Sequence, residues 1–315
     1  ALPLSFDYGF YQMVMAFSVG ATLVLEEGAL LPMQLLKRID QYQVTMLPAV
    51  PTLVSLLSQH AKRASYSFAS LRGVTNTGAA LTHNHIQLTK QLFPKAKIYS
   101  MYGLTECKRC SYLPPEDIER KPGSVGVAIP NTEIWIVDEE NNRLAANEIG
   151  QLVVRGATVM QGYWHKPEAT AKKLKPGLLP HETVLYTGDY AMIDSDGYLY
   201  YKGRMDEMIK SRGVKVSPSE IEQVLSTHSE IREVAVIGYQ TRQGEINLAA
   251  FVSLSTANSL TPSDLHHISK TKLAIHQRPA EFYILDNLPK TNNGKLNKLV
   301  LADRLEDRES ALCST

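Results

Sequence analysis

The first hundred residues alternate short apolar runs with helical faces, and that rhythm constrains the fold more than any other feature of the chain. Runs at 21–25, 44–47, 73–77 and 97–101 read as buried parallel strands. Between them Met33, Leu35, Leu36 and Ile39 mark one face of a helix, and Ile86, Leu88 and Leu92 mark another. This alternation predicts βαβ units, whose ligands collect at the carboxyl ends of the strands. Two polar, small-residue turns fall at such ends: Asn76-Thr77-Gly78-Ala79-Ala80 and Tyr102-Gly103-Leu104-Thr105-Glu106. A nucleotide is expected there. This α/β portion is taken to cover residues 1–122.

From residue 123 the texture changes. Gly and Pro become frequent, and strand-like stretches at 133–137, 151–155 and 198–202 have no long helix between them. Residues 123–205 therefore read as an antiparallel, barrel-like subdomain. From Asp206 onward a compact α+β unit is expected. Its first helix, Pro218–Leu225, has Ser217 as N-cap, Pro218 at the first position and Glu220 completing a capping box. Strands at 234–238, 248–253 and 281–285 follow, with a helix capped by Thr261 and a last helix ending near Arg308. The division is a large domain, 1–205, and a small one, 206–315, as the length of 315 residues suggests.

Composition narrows the function classes. Hydrophobic residues make up 44% of the chain, enough for sizeable cores, and the net charge of +1 gives no electrostatic case for nucleic acid or an anionic membrane. No apolar run is long enough to span a bilayer, and no signal peptide is visible. Three cysteines build no disulfide framework, which points to a reducing cytoplasm. Cys107 and Cys110 have C-x-x-C spacing but no second pair to complete a zinc site, so they read as two free thiols. His266-His267 and the charged run 304–309 read as solvated helix faces.

The chemistry starts at Thr105-Glu106. A hydroxyl beside a carboxylate suits a magnesium-bound phosphate, because the hydroxyl bonds a phosphate oxygen and the carboxylate is a hard oxygen ligand. Leu185-Tyr186-Thr187-Gly188-Asp189 reads as an apolar stretch ending in a tight turn with an exposed carboxylate. Asp189 there can accept both ribose hydroxyls, or be a solvated turn residue. Arg204, in Gly203-Arg204-Met205-Asp206, can fork onto ribose or phosphate oxygens, or form a surface ion pair. The run Lys210, Arg212, Lys215 around Gly213 exceeds what a helix start requires, and the glycine lets a ligand approach the backbone. Pro289–Lys295 is a polar turn ending in a lysine, a solvated loop unless the ammonium has anions to neutralise.

In this order the motifs resemble the AMP-forming adenylate-forming superfamily: acyl- and aryl-CoA synthetases, firefly luciferase and nonribosomal-peptide adenylation domains. The resemblance extends over essentially the whole chain. It implies ATP and Mg²⁺ as cofactors, with CoA or a phosphopantetheine carrier protein as thiol acceptor. Thr105 would contact phosphate and Glu106 would hold Mg²⁺. Gly78, Ala79, Ala80 and Tyr102, with Gly103 beside them, would flank adenine; Asp189 would hold ribose and Arg204 would assist. Asp206 would be the hinge of a mobile small domain, Lys295 the adenylation lysine, and Arg212-Gly213 the loop facing the thiol in a second pose. The stretch from Gly150-Gln151-Leu152 to Gly162-Tyr163-Trp164 also matches the family and reads as mainly structural.

One family element has no counterpart. The Gly-, Ser- and Thr-rich phosphate loop is missing, so the chain is expected to be the C-terminal part of a longer ligase, with weak AMP binding and exposed edges. The acyl pocket is expected along Phe6-Asp7-Tyr8-Gly9 and the apolar helix after it. Asp7 either pairs with a substrate amine, as in amino-acid-activating relatives, or caps that helix. Three readings follow: a ligase joining a fatty or other apolar acid to a thiol, an amino-acid adenylation enzyme, or a non-catalytic or split-partner fragment.

Overall fold

The computed structural model describes residues 2–26, 32–61, 66–78, 81–241, 244–291 and 295–311, with side chains as far as residue 305. Its contacts divide the chain into two compact units, Ala1–Tyr201 and Lys202–Thr315.

The first unit opens with α1 (Asp7–Ser18), α2 (Pro32–Gln41), β1 (Met46–Ala49), α3 (Pro51–Ala61), β2 (Gly73–Asn76), α4 (His83–Leu92) and β3 (Lys97–Tyr102). β1, β2 and β3 are parallel neighbours, with Met46 opposite Gly73 and Gly73 opposite Lys97. β4 (Ser111–Leu113) and β5 (Val127–Ala128) extend this sheet antiparallel. Leu35, Leu36 and Ile39 of α2 pack with Leu53, Val54 and Leu57 of α3 and with Phe93. Burying side chains of this size contributes roughly 1.5–3 kcal/mol each. Helix α3 had no clear period in the sequence, because its first seven residues are mostly apolar on every face.

Two strand expectations change. Residues 21–26 carry no regular secondary structure, and Leu25 is 58% exposed. An apolar run becomes a strand only beside a partner, and β1 at the sheet edge pairs with β2 alone among the described strands. The run at 44–47 yields a strand that starts later, at Met46.

The unit continues with β6 (Thr132–Val137), β7 (Ile149–Gly156), α5 (Pro167–Lys173), β8 (Leu174–Pro176), β9 (Thr183–Ile193) and β10 (Leu199–Arg204). These strands form the antiparallel subdomain in the order β10-β9-β7-β6, with β8 on β9. Among the described residues no pairing joins β6 to β10. An isolated bridge from Gly126 to Leu199 ties it to the first sheet.

The second unit contains β11 (Ile209–Ser211), β12 (Val214–Val216), α6 (Pro218–Leu225), β13 (Ile231–Gln240), β14 (Ile246–Leu254), α7 (Pro262–Lys272), β15 (Glu281–Ile284) and α8 (Lys298–Ala311). β14 is central, antiparallel to β13 and parallel to β15. Alternate residues face opposite sides, as the strand period requires. Val234, Val236, Ala250 and Val252 pack with Ile221 and Leu225 of α6 and Leu265 of α7. Ala235, Ile237, Ala249 and Phe251 pack with Leu301 and Leu305 of α8.

Ser217 caps α6 by accepting from the Glu220 N–H at 3.4 Å. The reciprocal half of the expected capping box is replaced. The Glu220 carboxylate goes instead to Lys202, 3.5 Å away, and accepts from Gln277 at 3.3 Å. Among the described residues no helix is long and apolar enough to cross a membrane.

Candidate functional site

Tyr102 ends β3 fully in the core, and the chain then folds back on itself. The Cys107 N–H donates to the Leu104 carbonyl at 3.1 Å, and the Cys110 N–H returns to the Tyr102 carbonyl at 3.1 Å. A Cβ on Gly103 would sit 2.0 Å from the Lys108 carbonyl oxygen, so only glycine fits this close approach. The fold-back leaves Thr105 at an exposed tip and Glu106 half-buried beside it. Thr105 donates its hydroxyl to Asp7 Oδ2 at 3.2 Å. Glu106 is held twice: Tyr163 donates its hydroxyl to Oε1, and the Met160 N–H donates to its carbonyl at 2.7 Å.

Asp189 overturns the expectation of a turn with an exposed carboxylate. It lies inside β9 and is 1% exposed. Thr187-Gly188-Asp189 forms a bulge: Val153 pairs with Tyr186 and Gln151 with Tyr190, so Leu152 alone opposes the residues between. Gly188, at φ +77°, supplies the left-handed turn. The Thr187 hydroxyl donates to the Leu152 carbonyl at 2.8 Å, the Asp189 N–H donates to the Thr187 hydroxyl at 3.1 Å, and Lys173 reaches the Thr187 carbonyl at 2.7 Å. The bulge directs the Asp189 carboxylate to Tyr102, whose hydroxyl donates to it. Burial, with Asp189 beside it, pushes the Tyr102 hydroxyl well above its ordinary pKa, so it remains a donor.

Helix α1 brings the acyl-pocket candidates to the same loop. Asp7 is its first residue rather than its cap; Phe6 holds the cap position without a side-chain bond. Tyr8 is buried, and its hydroxyl donates to the Thr75 carbonyl of β2 at 2.9 Å and lies 2.5 Å from the Thr75 hydroxyl. Desolvation pushes the Tyr8 pKa up to about 12. Gly78 follows β2 at φ +85°, while Ala79 and Ala80 lie outside the described residues. Asp7, Tyr8, Tyr102, Gly103, Thr105, Glu106 and Asp189 are thus linked around the carboxyl ends of β2 and β3.

The remaining candidates belong to the second unit. Arg204 forks onto Asp206, with Nε to Oδ1 at 3.0 Å and a terminal nitrogen to Oδ2 at 2.9 Å. Arg212 and Gly213, at φ +50° and +82°, form the two-residue tip of the β11–β12 hairpin. No atom would lie within 4 Å of a Cβ on Gly213. Lys295 is exposed, its carbonyl accepts from the Thr291 N–H at 2.8 Å, and an isolated bridge joins Lys290 to Leu296.

Sequence reasoning missed the groups that hold these side chains. Tyr163 lies 57 positions from Glu106, in a stretch read as structural. Gln151 accepts from the Gly188 N–H at 3.3 Å across the bulge. Cys107 and Cys110 are both buried and free, and the Cys110 thiol donates to the Tyr102 carbonyl at 3.8 Å. The interaction of the two neighbouring thiols lowers the Cys107 pKa and raises that of Cys110.

The model of the AMP-binding enzyme family matches residues 1–164, and that of the AMP-binding enzyme C-terminal domain matches residues 220–295. The chain belongs to the AMP-binding enzyme family. Within this family it is 30% identical to 4-coumarate–CoA ligase 2 of Nicotiana tabacum over 96% of its own length and 56% of that protein. It is 32% identical to a long-chain-fatty-acid–CoA ligase of Bacillus subtilis (strain 168), over 89% of itself and 48% of that enzyme. The chain thus spans about half the length of these curated relatives. Among solved structures, the amide bond synthetase McbA of Marinactinospora thermotolerans superposes with a TM-score of 0.85 at 26% identity, covering 96% of this chain and 60% of that one. An anthranilate CoA ligase bound to anthranoyl-AMP gives 0.83 at 28% identity, over 96% and 58%. The chain therefore has the α/β fold of the adenylate-forming superfamily, with mixed sheets in both units.

At the β3 loop the Thr105 hydroxyl and the Glu106 carboxylate are hard oxygen donors of the kind a magnesium-bound phosphate takes. Among the described residues no group of three or more His, Cys, Asp or Glu side chains converges.

Proposed function

We propose that the protein activates a carboxylic acid with ATP and passes the acyl group to a thiol. In the first half-reaction a carboxylate oxygen attacks the α-phosphorus and pyrophosphate leaves, giving acyl-AMP. In the second, a thiol of CoA or of a phosphopantetheine carrier protein displaces AMP to give the thioester. The observation that carries this reading is the Tyr102–Asp189 pair, a buried carboxylate directed to the strand end from which Thr105 and Glu106 project.

Each residue has a role in this scheme. Gly78, Ala79, Ala80, Tyr102 and Gly103 flank adenine, while Asp189, with Arg204, holds ribose. Thr105 bonds phosphate, and Glu106 would hold magnesium, which supplies charge neutralisation when bound. Two anions must meet in the first half-reaction, so Lys295 lowers the barrier by neutralising developing charge. At ~4 Å and an effective dielectric near 20, one such charge contributes roughly 4 kcal/mol, about a thousandfold in rate. The small domain, 206–315, then turns about Asp206 so that Arg212 and Gly213 face the thiol. The acid has an apolar body, a fatty acid being the simplest, and binds along α1 near Asp7 and Tyr8. Two buried free thiols suit the reducing cytoplasm.

ATP–pyrophosphate exchange across fatty, aryl and amino acids tests the scheme, with CoA added in a second stage. Acid-dependent exchange followed by CoA-dependent thioester formation is the expected result. Exchange with amino acids alone, indifferent to CoA, would move the protein to the peptide-synthetase type. No exchange with any acid would overturn the activation reading.

A further inference from the structure

Lys108 and Arg109 follow closely on the Thr105-Glu106 turn, and among the described residues their charges have no counter-ion. Lys108 stands at φ +58° with its carbonyl packed on Gly103, which fixes how the pair leaves the loop. Its ammonium lies 4.2 Å from the centre of the Tyr11 ring of α1, a neutral partner. Arg109 is half-buried beside Tyr8 of the same helix, and among the described residues it makes no hydrogen bond or ion pair.

The nearby polar groups are already engaged. Asp7 accepts from the Thr105 hydroxyl and from the Tyr8 N–H, the latter at 2.7 Å, and the Tyr8 hydroxyl is committed to Thr75. Desolvation lowers the pKa of both cations, and the like charge of Arg109 lowers that of Lys108 further. A guanidinium taken partly out of water with no acceptor is costly to maintain, and an anion from outside the chain offsets that cost.

We infer that the acid this protein takes carries a second anionic group, a carboxylate above all, which Arg109 reads with Lys108 beside it. The inference rests on the proposed role of α1 as the acid-binding helix. A guanidinium matches a carboxylate with two parallel hydrogen bonds, a geometry an ammonium cannot reproduce. It also discriminates sharply. An acid of the same length ending in a methyl group would leave the guanidinium buried and unpaired, and a site built on a polar partner rejects such analogues far better than an apolar pocket rejects an extra methylene.

The test uses the full-length protein with matched acids: adipate against heptanoate, and terephthalate against 4-methylbenzoate. Binding of each acid is measured by calorimetry, and ATP–pyrophosphate exchange is measured in parallel, for the wild type and for Arg109→Met and Arg109→Lys. The expected result is at least a tenfold preference for one diacid over its methyl-ended partner. Arg109→Met should remove that preference by weakening the diacid, with the monoacid bound no worse and the KM for ATP unchanged, while Arg109→Lys retains part of it. Equal treatment of both acids by the wild type, no binding of either diacid, or equal weakening of both acids in Arg109→Met would overturn the inference. A raised KM for ATP as the main effect of Arg109→Met would assign the cation to the nucleotide instead. Arg109-dependent diacid binding without exchange would uphold the inference while overturning the ligase reading.

Discussion

The Tyr102 hydroxyl donates to the Asp189 carboxylate across 87 positions of sequence, joining the end of a parallel strand to a bulge in an antiparallel one. Both residues are buried, so this bond fixes where a carboxylate meets the carboxyl end of β3 in the first sheet. Tyr102→Phe removes the donor and leaves the ring in place. Hydrogen bonds to charged groups contribute about 1.5–3 kcal/mol, and the KM for ATP is expected to rise roughly tenfold or more with a smaller change in kcat. Steady-state kinetics at saturating acid checks this, and an unchanged KM would detach the pair from nucleotide binding.

Gly103 is required for a different reason. Its Cβ position lies 2.0 Å from the Lys108 carbonyl oxygen, and backbone cannot move aside as a flexible side chain can. Gly103→Ala is therefore expected to cost about 3 kcal/mol or more through forced displacement of the loop. Gly213→Ala is the control: it meets no atom within 4 Å but must hold φ near +82°. It should cost only about 1–2 kcal/mol. Urea unfolding of both variants compares them, and equal losses would mean that the loop after β3 yields easily.

His85 makes stability depend on pH. Burial lowers its pKa to about 4, with Nδ1 2.7 Å from the Thr82 hydroxyl at the start of α4. An unfolded histidine titrates near ~6.5. Because the folded pKa is the lower one, the neutral-histidine contribution is complete above pH 6.5 and is lost as pH falls towards 4. The loss is on the order of 2–3 kcal/mol. Urea midpoints at pH 7 and pH 4.5 should differ accordingly, and His85→Gln should flatten the difference. A variant with the same acid sensitivity would place the titrating group elsewhere.

The sequence made local structure legible where one rule was sufficient. The Ser217-Pro218 start located α6, and compact apolar runs located β2 and β3 to within a residue of their ends. It failed where the deciding partner was distant. Thr187-Gly188-Asp189 has the composition of a turn, and only the pairing of β9 with β7 turns it into a bulge that buries the carboxylate. Residues 21–25 have the composition of a strand without a described neighbour to pair with. Tyr163 carries no local signal for its bond to Glu106, since its stretch has ordinary turn residues and the contact exists only after folding. Arg109 and Lys108 appear in sequence as a charge pair in a loop; their position against α1 follows from the fold-back at Gly103.

Lys295 and the Arg204–Asp206 fork separate the two half-reactions of the proposed cycle. Lys295 sits exposed at a turn of the second unit, so Lys295→Ala should leave the fold and its thermal midpoint nearly unchanged. If its ammonium acts only on the attack at the α-phosphorus, acyl-AMP formation should fall by about a thousandfold, while supplied acyl-AMP is still converted to thioester. The Arg204 guanidinium grips both oxygens of Asp206 beside the proposed hinge. Asp206→Pro would remove that acceptor and restrict the backbone where the turn must occur. It should therefore slow the thioester step while sparing pyrophosphate exchange. Single-turnover assays of each half-reaction on both variants distinguish these effects. Opposite losses support one site used in two poses, and parallel losses in both variants would mean that a single fixed arrangement carries both steps.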